Sequence, residues 1–142
     1  MIGIIITGHG EFASGLYSSL TMIAGKLDDV ACVTFTHNES EIELKNKLVA
    51  AITTMQGCDE IIIMCDLLGG SPFKQAATLS IEDKRLKVIY GVNLGMLLEL
   101  SIARNTPQTT EQVINKMIDN GKRNIGLYSY TLIDEEEIVE GI

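Results

Sequence analysis

Two short runs constrain this chain more than anything else in it: Ile2-Gly3-Ile4-Ile5-Ile6-Thr7 and Glu60-Ile61-Ile62-Ile63-Met64-Cys65. Each is apolar and β-branched with almost no interruption, the pattern of a strand covered on both faces rather than of an alternating edge strand. Each ends in a glycine turn. The first turn is Thr7-Gly8-His9-Gly10, and the second is Asp66-Leu67-Leu68-Gly69-Gly70-Ser71-Pro72-Phe73. Both lead into helical patterns. Strand, glycine turn and helix is the unit from which parallel sheets are wound, and such sheets build their sites at the carboxyl ends of the strands.

The rest of the chain extends the same pattern. A helix is expected over Phe12–Ala24, with Leu16, Leu20 and Ile23 on one face and Gly25 as its stop. Val30–Thr36 reads as the second strand. Ser40 and Glu43 make a capping box for the next helix, whose apolar stripe is Ile42, Leu44, Leu48, Val49 and Ile52, with Gly57 past its end. Ser71 reads as an N-cap and Pro72 as the first helical residue of a short helix through Leu79. Leu86–Tyr90 is the fourth strand, followed by Gly91-Val92-Asn93-Leu94-Gly95 and a helix from Met96 to Arg104. A final helix is expected from Thr110 to Asn120, stopped by Gly121.

Four strand–helix repeats imply an α/β fold, a doubly wound and mainly parallel sheet of four strands with helices on both faces. Ile125–Ile133 reads as one more strand with no helix after it, suited to an antiparallel place at a sheet edge of its own subunit or of a neighbour. Asp134-Glu135-Glu136-Glu137 reads as a solvated tail. With no repeat, linker or low-complexity stretch, residues 1–142 read as a single domain.

Composition narrows the classes of partner. A net charge of −8 and a pI near 4.7 argue against nucleic acid or an anionic membrane, both of which attract basic surface. Cys32, Cys58 and Cys65 show no Cys-x-x-Cys spacing, and two of them lie in or beside apolar runs, where a thiol behaves as a small hydrophobe. With two histidines, a zinc site of ordinary composition is not expected. No run is long enough to span a bilayer and no leader pattern opens the chain, so a reduced, cytoplasmic protein is expected.

His9 is the sharpest chemical feature. It stands between two glycines at the end of a buried strand, where the imidazole stays accessible. In a doubly wound sheet the ends of strands one and three are neighbours, so Asp66 is expected to face it. A carboxylate there accepts a hydrogen bond from Nδ1, fixes the tautomer and leaves Nε2 as the nucleophile. Asp66 capping its own turn is compatible with that role. Gly69, Gly70 and Ser71 open a helix, where free amides and a hydroxyl suit phosphoryl oxygens. The turn is not a Walker A motif, and no Gly-x-Gly-x-x-Gly fingerprint follows the first strand, so a dinucleotide enzyme is not expected. Lys74 reads as an exposed lysine, Asn93 as a turn residue and His37 as a surface loop residue. Met96, Leu97 and Leu98 read as core in preference to partner surface.

Gly8-His9-Gly10, then Asp66 through Phe73, then Gly91-Val92-Asn93-Leu94-Gly95-Met96-Leu97 resemble the mannose-class EIIA domains of the bacterial phosphoenolpyruvate-dependent sugar phosphotransferase system. The resemblance covers nearly the whole chain, and Gly-Gly-Ser-Pro-Phe is its most specific part. It implies a cytoplasmic homodimer that exchanges its C-terminal strand. It also implies that His9 takes a phosphoryl group from phospho-HPr and passes it to an EIIB component for sugar uptake, so that contact with a membrane comes only through the transporter. Asp66 would orient the histidine and the Gly69–Ser71 turn would hold the phosphoryl oxygens, with no metal or cofactor. Some members carry an aromatic residue where Leu68 stands, asparagine for Lys74 and proline for Gly95. These differences leave mannose, fructose, sorbose, galactosamine-type and N-acetylated amino sugars open. The rival readings are a phosphotransfer subunit of a dihydroxyacetone kinase and a phosphorylation-sensing regulatory module.

Overall fold

The computed structural model describes residues 1–130. Four strands form one parallel sheet in the order β2-β1-β3-β4: β1 (Ile2–His9), β2 (Val30–Phe35), β3 (Glu60–Cys65) and β4 (Leu86–Ile89). The helices are α1 (Phe12–Ala24), α2 (Glu41–Thr53), α3 (Ser71–Glu82), α4 (Leu94–Ala103) and α5 (Thr110–Arg123). The chain runs from β1 outward to β2, then returns across β1 to β3. That reversal puts the topological switch point between the carboxyl ends of β1 and β3, where α/β sheets bind their ligands.

The unbroken apolar runs follow from a sheet covered twice. Ile4, Ile6, Ile62 and Met64 point into a core with Ala13 and Leu20 of α1, Leu97 and Leu100 of α4, and Val113 and Met117 of α5. Ile5, Ile61, Ile63 and Cys65 point the other way, onto Leu44 and Leu48 of α2 and Ala76 of α3. Side chains alternate along a strand, so a strand covered on both faces needs an apolar residue at nearly every position. The buried exception, Thr7, donates its hydroxyl to the Val33 carbonyl at 2.9 Å. Each fully buried aliphatic side chain contributes roughly 1.5–3 kcal/mol of transfer free energy.

The amino end of the sheet is tied by Arg104, which is buried just past α4. Its guanidinium donates to the carbonyls of Ile2 (3.1 Å), Asp29 (3.3 Å) and Asp28 (2.7 Å). One side chain thus fixes the start of β1 and the turn that enters β2.

Several boundaries differ from expectation, each for a local reason. β1 continues through Gly8 and His9, because both pair with β2 opposite Thr34 and Phe35. Ser71 is not the cap of α3. Gly70 is, and Ser71 and Pro72 are its first two residues, with the helix running on to Glu82. α4 begins at Leu94 because Asn93 caps it, accepting from the Met96 amide at 3.0 Å. α5 passes through Gly121 to Arg123, since that glycine is buried against Met96 and serves close helix packing rather than a stop. Ser40 and Glu43 form the expected capping box. In α2 the stripe is narrower than expected, with Ile42 and Val49 exposed, and in α1 Ile23 is exposed as well.

The strand expected over Ile125–Ile133 is not formed in its described part. Residues 125–130 pair with none of the four described strands, and Ile125, Leu127, Tyr128 and Tyr130 stand exposed. The remainder of that stretch, with the acidic tail, lies outside the described residues.

Candidate functional site

His9 is the last residue of β1 and Asp66 follows the last residue of β3, so the parallel pairing of these two strands brings them together across 57 positions of sequence. Asp66 Oδ2 accepts the His9 backbone amide at 2.8 Å and lies 2.7 Å from His9 Nδ1. Its other oxygen, Oδ1, accepts the Leu67 amide at 2.8 Å. The carboxylate therefore orients the ring and caps its own turn at once. Burial pushes the Asp66 carboxyl up, but the amide of His9, its ring and the amide of Leu67 together outweigh burial and hold it below the usual range. An ionised carboxylate only accepts, so the ring donates Nδ1–H to it, the tautomer in which a neutral imidazole carries its lone pair on Nε2. The His9 side chain is 46% exposed, so that lone pair is open to attack an incoming group.

Two glycines make this geometry possible by what they lack. A Cβ at Gly8 would stand 3.0 Å from the Asp66 carboxyl carbon and 2.6 Å from the Phe12 ring. A Cβ at Gly70 would stand 2.6 Å from His9 Cε1 and 3.3 Å from Nε2. The first glycine lets the carboxylate reach its amide, and the second brings the backbone of the β3–α3 turn onto the imidazole. The Phe35 ring meets His9 edge-on, with centroids 6.1 Å apart.

The turn contributes donors as well. No side chain caps α3. The amides of Ser71 and Phe73, in its first turn, have no intrahelical acceptor by position, and Pro72 has no N–H. α1, which opens after Gly10 and Glu11, is likewise uncapped. Two helix N-termini with free amides thus flank the histidine, an arrangement that favours an anion. Gly69 lies in the exposed part of the turn beside Leu67 and Leu68. Ser71, expected to aim its hydroxyl at the anion, donates it instead to Glu41 Oε1 at 2.8 Å. Lys74 is exposed one helical turn further on.

Residues outside the two turns complete the surroundings. A cleft of about 530 Å³ is lined by His9, Gly10, Glu11, Phe35, Thr36, His37 and Glu39. His37, read from sequence as a plain loop residue, shares this cleft with His9. Glu39 forms one wall, held at about 2 first by the Lys47 ammonium and then by the Thr36 amide. Behind the site, burial and then the Asp66 charge push the Cys65 thiol up to about 12, so it stays neutral. Glu41 carried no signal in the sequence beyond its place after a cap residue. Among the described residues no cluster of side chains suits a metal ion, and no helix is long and apolar enough to cross a membrane.

Fold and site together define a doubly wound α/β domain that presents an open histidine, steadied by a carboxylate, at the switch point of its sheet. The family model described as PTS system fructose IIA component matches residues 3–118, and the chain belongs to this mannose-class EIIA family of the phosphotransferase system. It is 36% identical over 100 residues to a PTS system fructose-specific EIIA component of Bacillus subtilis, covering 70% of this chain and 68% of that one. It is 27% identical to a PTS system mannose-specific EIIAB component of Escherichia coli, covering 87% of this chain but spanning only 38% of that longer protein. Its fold matches the crystal structure of a phosphotransferase system component EIIA from Streptococcus agalactiae with a TM-score of 0.82 at 35% identity, covering 89% of this chain and 97% of the other. The chain is a phosphotransferase component of the fructose, mannose and sorbose class.

Proposed function

We propose that this chain is a phosphohistidine carrier in which His9 Nε2 takes a phosphoryl group from phospho-HPr and passes it to an EIIB component, in the service of sugar uptake. The observation that carries the reading is the 2.7 Å contact between Asp66 Oδ2 and His9 Nδ1, which leaves Nε2 with its lone pair beside Gly70 and an uncapped helix. In the transfer, a bond forms between Nε2 and phosphorus as the phosphorus–nitrogen bond of the donor's phosphohistidine breaks. The donor imidazole recovers its lone pair, and no proton or electron has to be supplied. Such an exchange between two imidazoles is nearly balanced, so catalysis reduces to in-line placement and to fixed donors around the moving oxygens. Asp66 steadies the imidazolium, and the Gly69, Gly70 and Ser71 backbone faces the oxygens.

A cytoplasmic location follows from the proposed donor. A homodimer is supported by the other edge of the fold. Among the described residues no strand pairs with the outer side of β4, and a groove of about 290 Å³ beside it is lined by Val88, Tyr90, Met96, Ile118 and Ile125. The exposed apolar residues beyond it, Leu127, Tyr128 and Tyr130, suit the same groove on a second copy.

The test is intact mass after incubation with phosphoenolpyruvate, enzyme I and HPr, with His9→Ala in parallel. An acid-labile gain of one phosphoryl group, absent from the variant and discharged by a mannose-class EIIB, is expected. A gain that EIIB cannot discharge would point to a sensing module or to a dihydroxyacetone kinase subunit. No gain with active HPr would overturn the carrier reading.

A further inference from the structure

The Ser71 hydroxyl has one proton, and in this structure it is committed to Glu41. The bond is 2.8 Å long and its direction is fixed, because a carboxylate only accepts. Glu41 is the first residue of α2 and Ser71 the first of α3, so the contact joins two helix starts that are 30 positions apart. α2 does not need Glu41 as a cap, since Ser40 and Glu43 already form its capping box. Among the described residues Glu41 makes no ion pair, and its side chain hydrogen-bonds only to Ser71.

We propose that Glu41 is a positioning residue that limits how tightly His9 holds a phosphoryl group, by competing with the phosphoryl oxygens for the Ser71 hydroxyl. The proposal rests on the carrier reading given above. Ser71 follows Gly70, where an added Cβ would stand 2.6 Å from Cε1 and 3.3 Å from Nε2 of the His9 ring. A phosphoryl group on Nε2 carries strong acceptor oxygens and a charge of about −2, which in the proposed loaded state come within reach of the same hydroxyl. One proton then faces two anions. If Ser71 turns to the phosphoryl group, Glu41 loses its partner close to new negative charge. If Ser71 stays, the phosphoryl group goes without that donor. The change is a rotation about the serine side chain, with no covalent bond made or broken and no proton transferred. A carrier has to release its cargo as readily as it accepts it, and a competitor for one donor keeps the loaded state from becoming a trap.

The test uses the whole chain in four forms: unaltered, Glu41→Ala, Ser71→Ala and the double variant. Each is equilibrated with a limiting pool of phospho-HPr, and the loaded fraction is read by intact mass. Glu41→Ala is expected to shift the equilibrium toward loaded protein by roughly three- to tenfold, the scale of one charge-assisted hydrogen bond at a partly exposed site. Glu41→Gln, which keeps an acceptor but removes the charge, is expected to shift it in the same direction by less. In the Ser71→Ala background, loss of Glu41 is expected to change loading less than about twofold, since the competition has nothing left to act on. An unchanged or lower loaded fraction in Glu41→Ala would overturn the proposal. So would an equal shift with and without Ser71, which would reveal a bare charge effect. If the unaltered chain takes up no phosphoryl group, the carrier reading falls and this inference with it; if it loads normally and the cycle shows no coupling, the inference alone falls.

Discussion

The two ends of the same four strands are built in opposite ways. At the amino end a buried arginine ties three backbone carbonyls with its two terminal nitrogens, and only its Nε lacks a partner among the described residues. At the carboxyl end the two helices beside His9 start with bare amides, although Ser40, Asn93 and Thr109 cap the other three. A cap is worth about 1 kcal/mol, so leaving two of them out sacrifices stability where the proposed phosphoryl group would sit. The fold therefore concentrates its side-chain ties at one pole and its uncapped helix starts at the other.

If that division is real, substitutions at each pole should move different quantities. Gly70→Ala should have the largest effect. Its backbone angles, φ −72° and ψ 168°, suit alanine, so the fold survives, but the new methyl group displaces the half-exposed imidazole. A displacement of about an ångström predicts a fall in phosphoryl uptake on the order of a hundredfold with little change in thermal midpoint. A variant that is loaded at the normal rate would show that the His9–Gly70 contact does not shape the site.

Arg104→Met should do the reverse. Removing a buried donor from three carbonyls is expected to cost about 3 kcal/mol in urea unfolding, while the uptake rate per folded molecule stays the same. Slower uptake by fully folded protein would mean that the two poles are coupled through the sheet.

The smallest effect concerns acid. The Asp66 carboxyl is held below its ordinary value of 3.8 in the folded chain, so it contributes stability above that pH, and the contribution is lost as pH falls through the folded value. Asp66→Asn should lose less stability than the parent protein between neutral pH and pH values below 3.8, seen as a flatter acid limb of the urea midpoint. Identical acid limbs would detach Asp66 from the folding equilibrium.

Much of this organisation was legible in the sequence because the physics behind it is local or topological. Continuous Ile runs signal strands covered on both faces, and the pairing of strands one and three then puts His9 opposite Asp66 without any further information. What escaped was the direction of single side chains. Ser71 looked like a cap because serine before proline usually is one, yet Gly70 takes that position and frees the hydroxyl to cross to α2. Glu41 and His37 entered the surroundings of His9 through the packing of α2 and the loop before it, a tertiary arrangement with no periodic trace. Gly121 looked like a stop because glycine often ends a helix; here it admits Met96.

The central position of β1 has a consequence for how the chain comes into being. β1 is made before both of its partners, which begin at Val30 on one side and only at Glu60 on the other. On a ribosome, an isoleucine-rich strand would wait with one hydrogen-bonding edge unsatisfied until some sixty residues had been synthesised. The imidazole and its carboxylate, 57 residues apart, meet only when that long-range pairing closes. Nascent or partly folded copies would therefore carry the histidine without its orienting partner, and competence for transfer would arrive in the same kinetic step that buries the centre of the sheet.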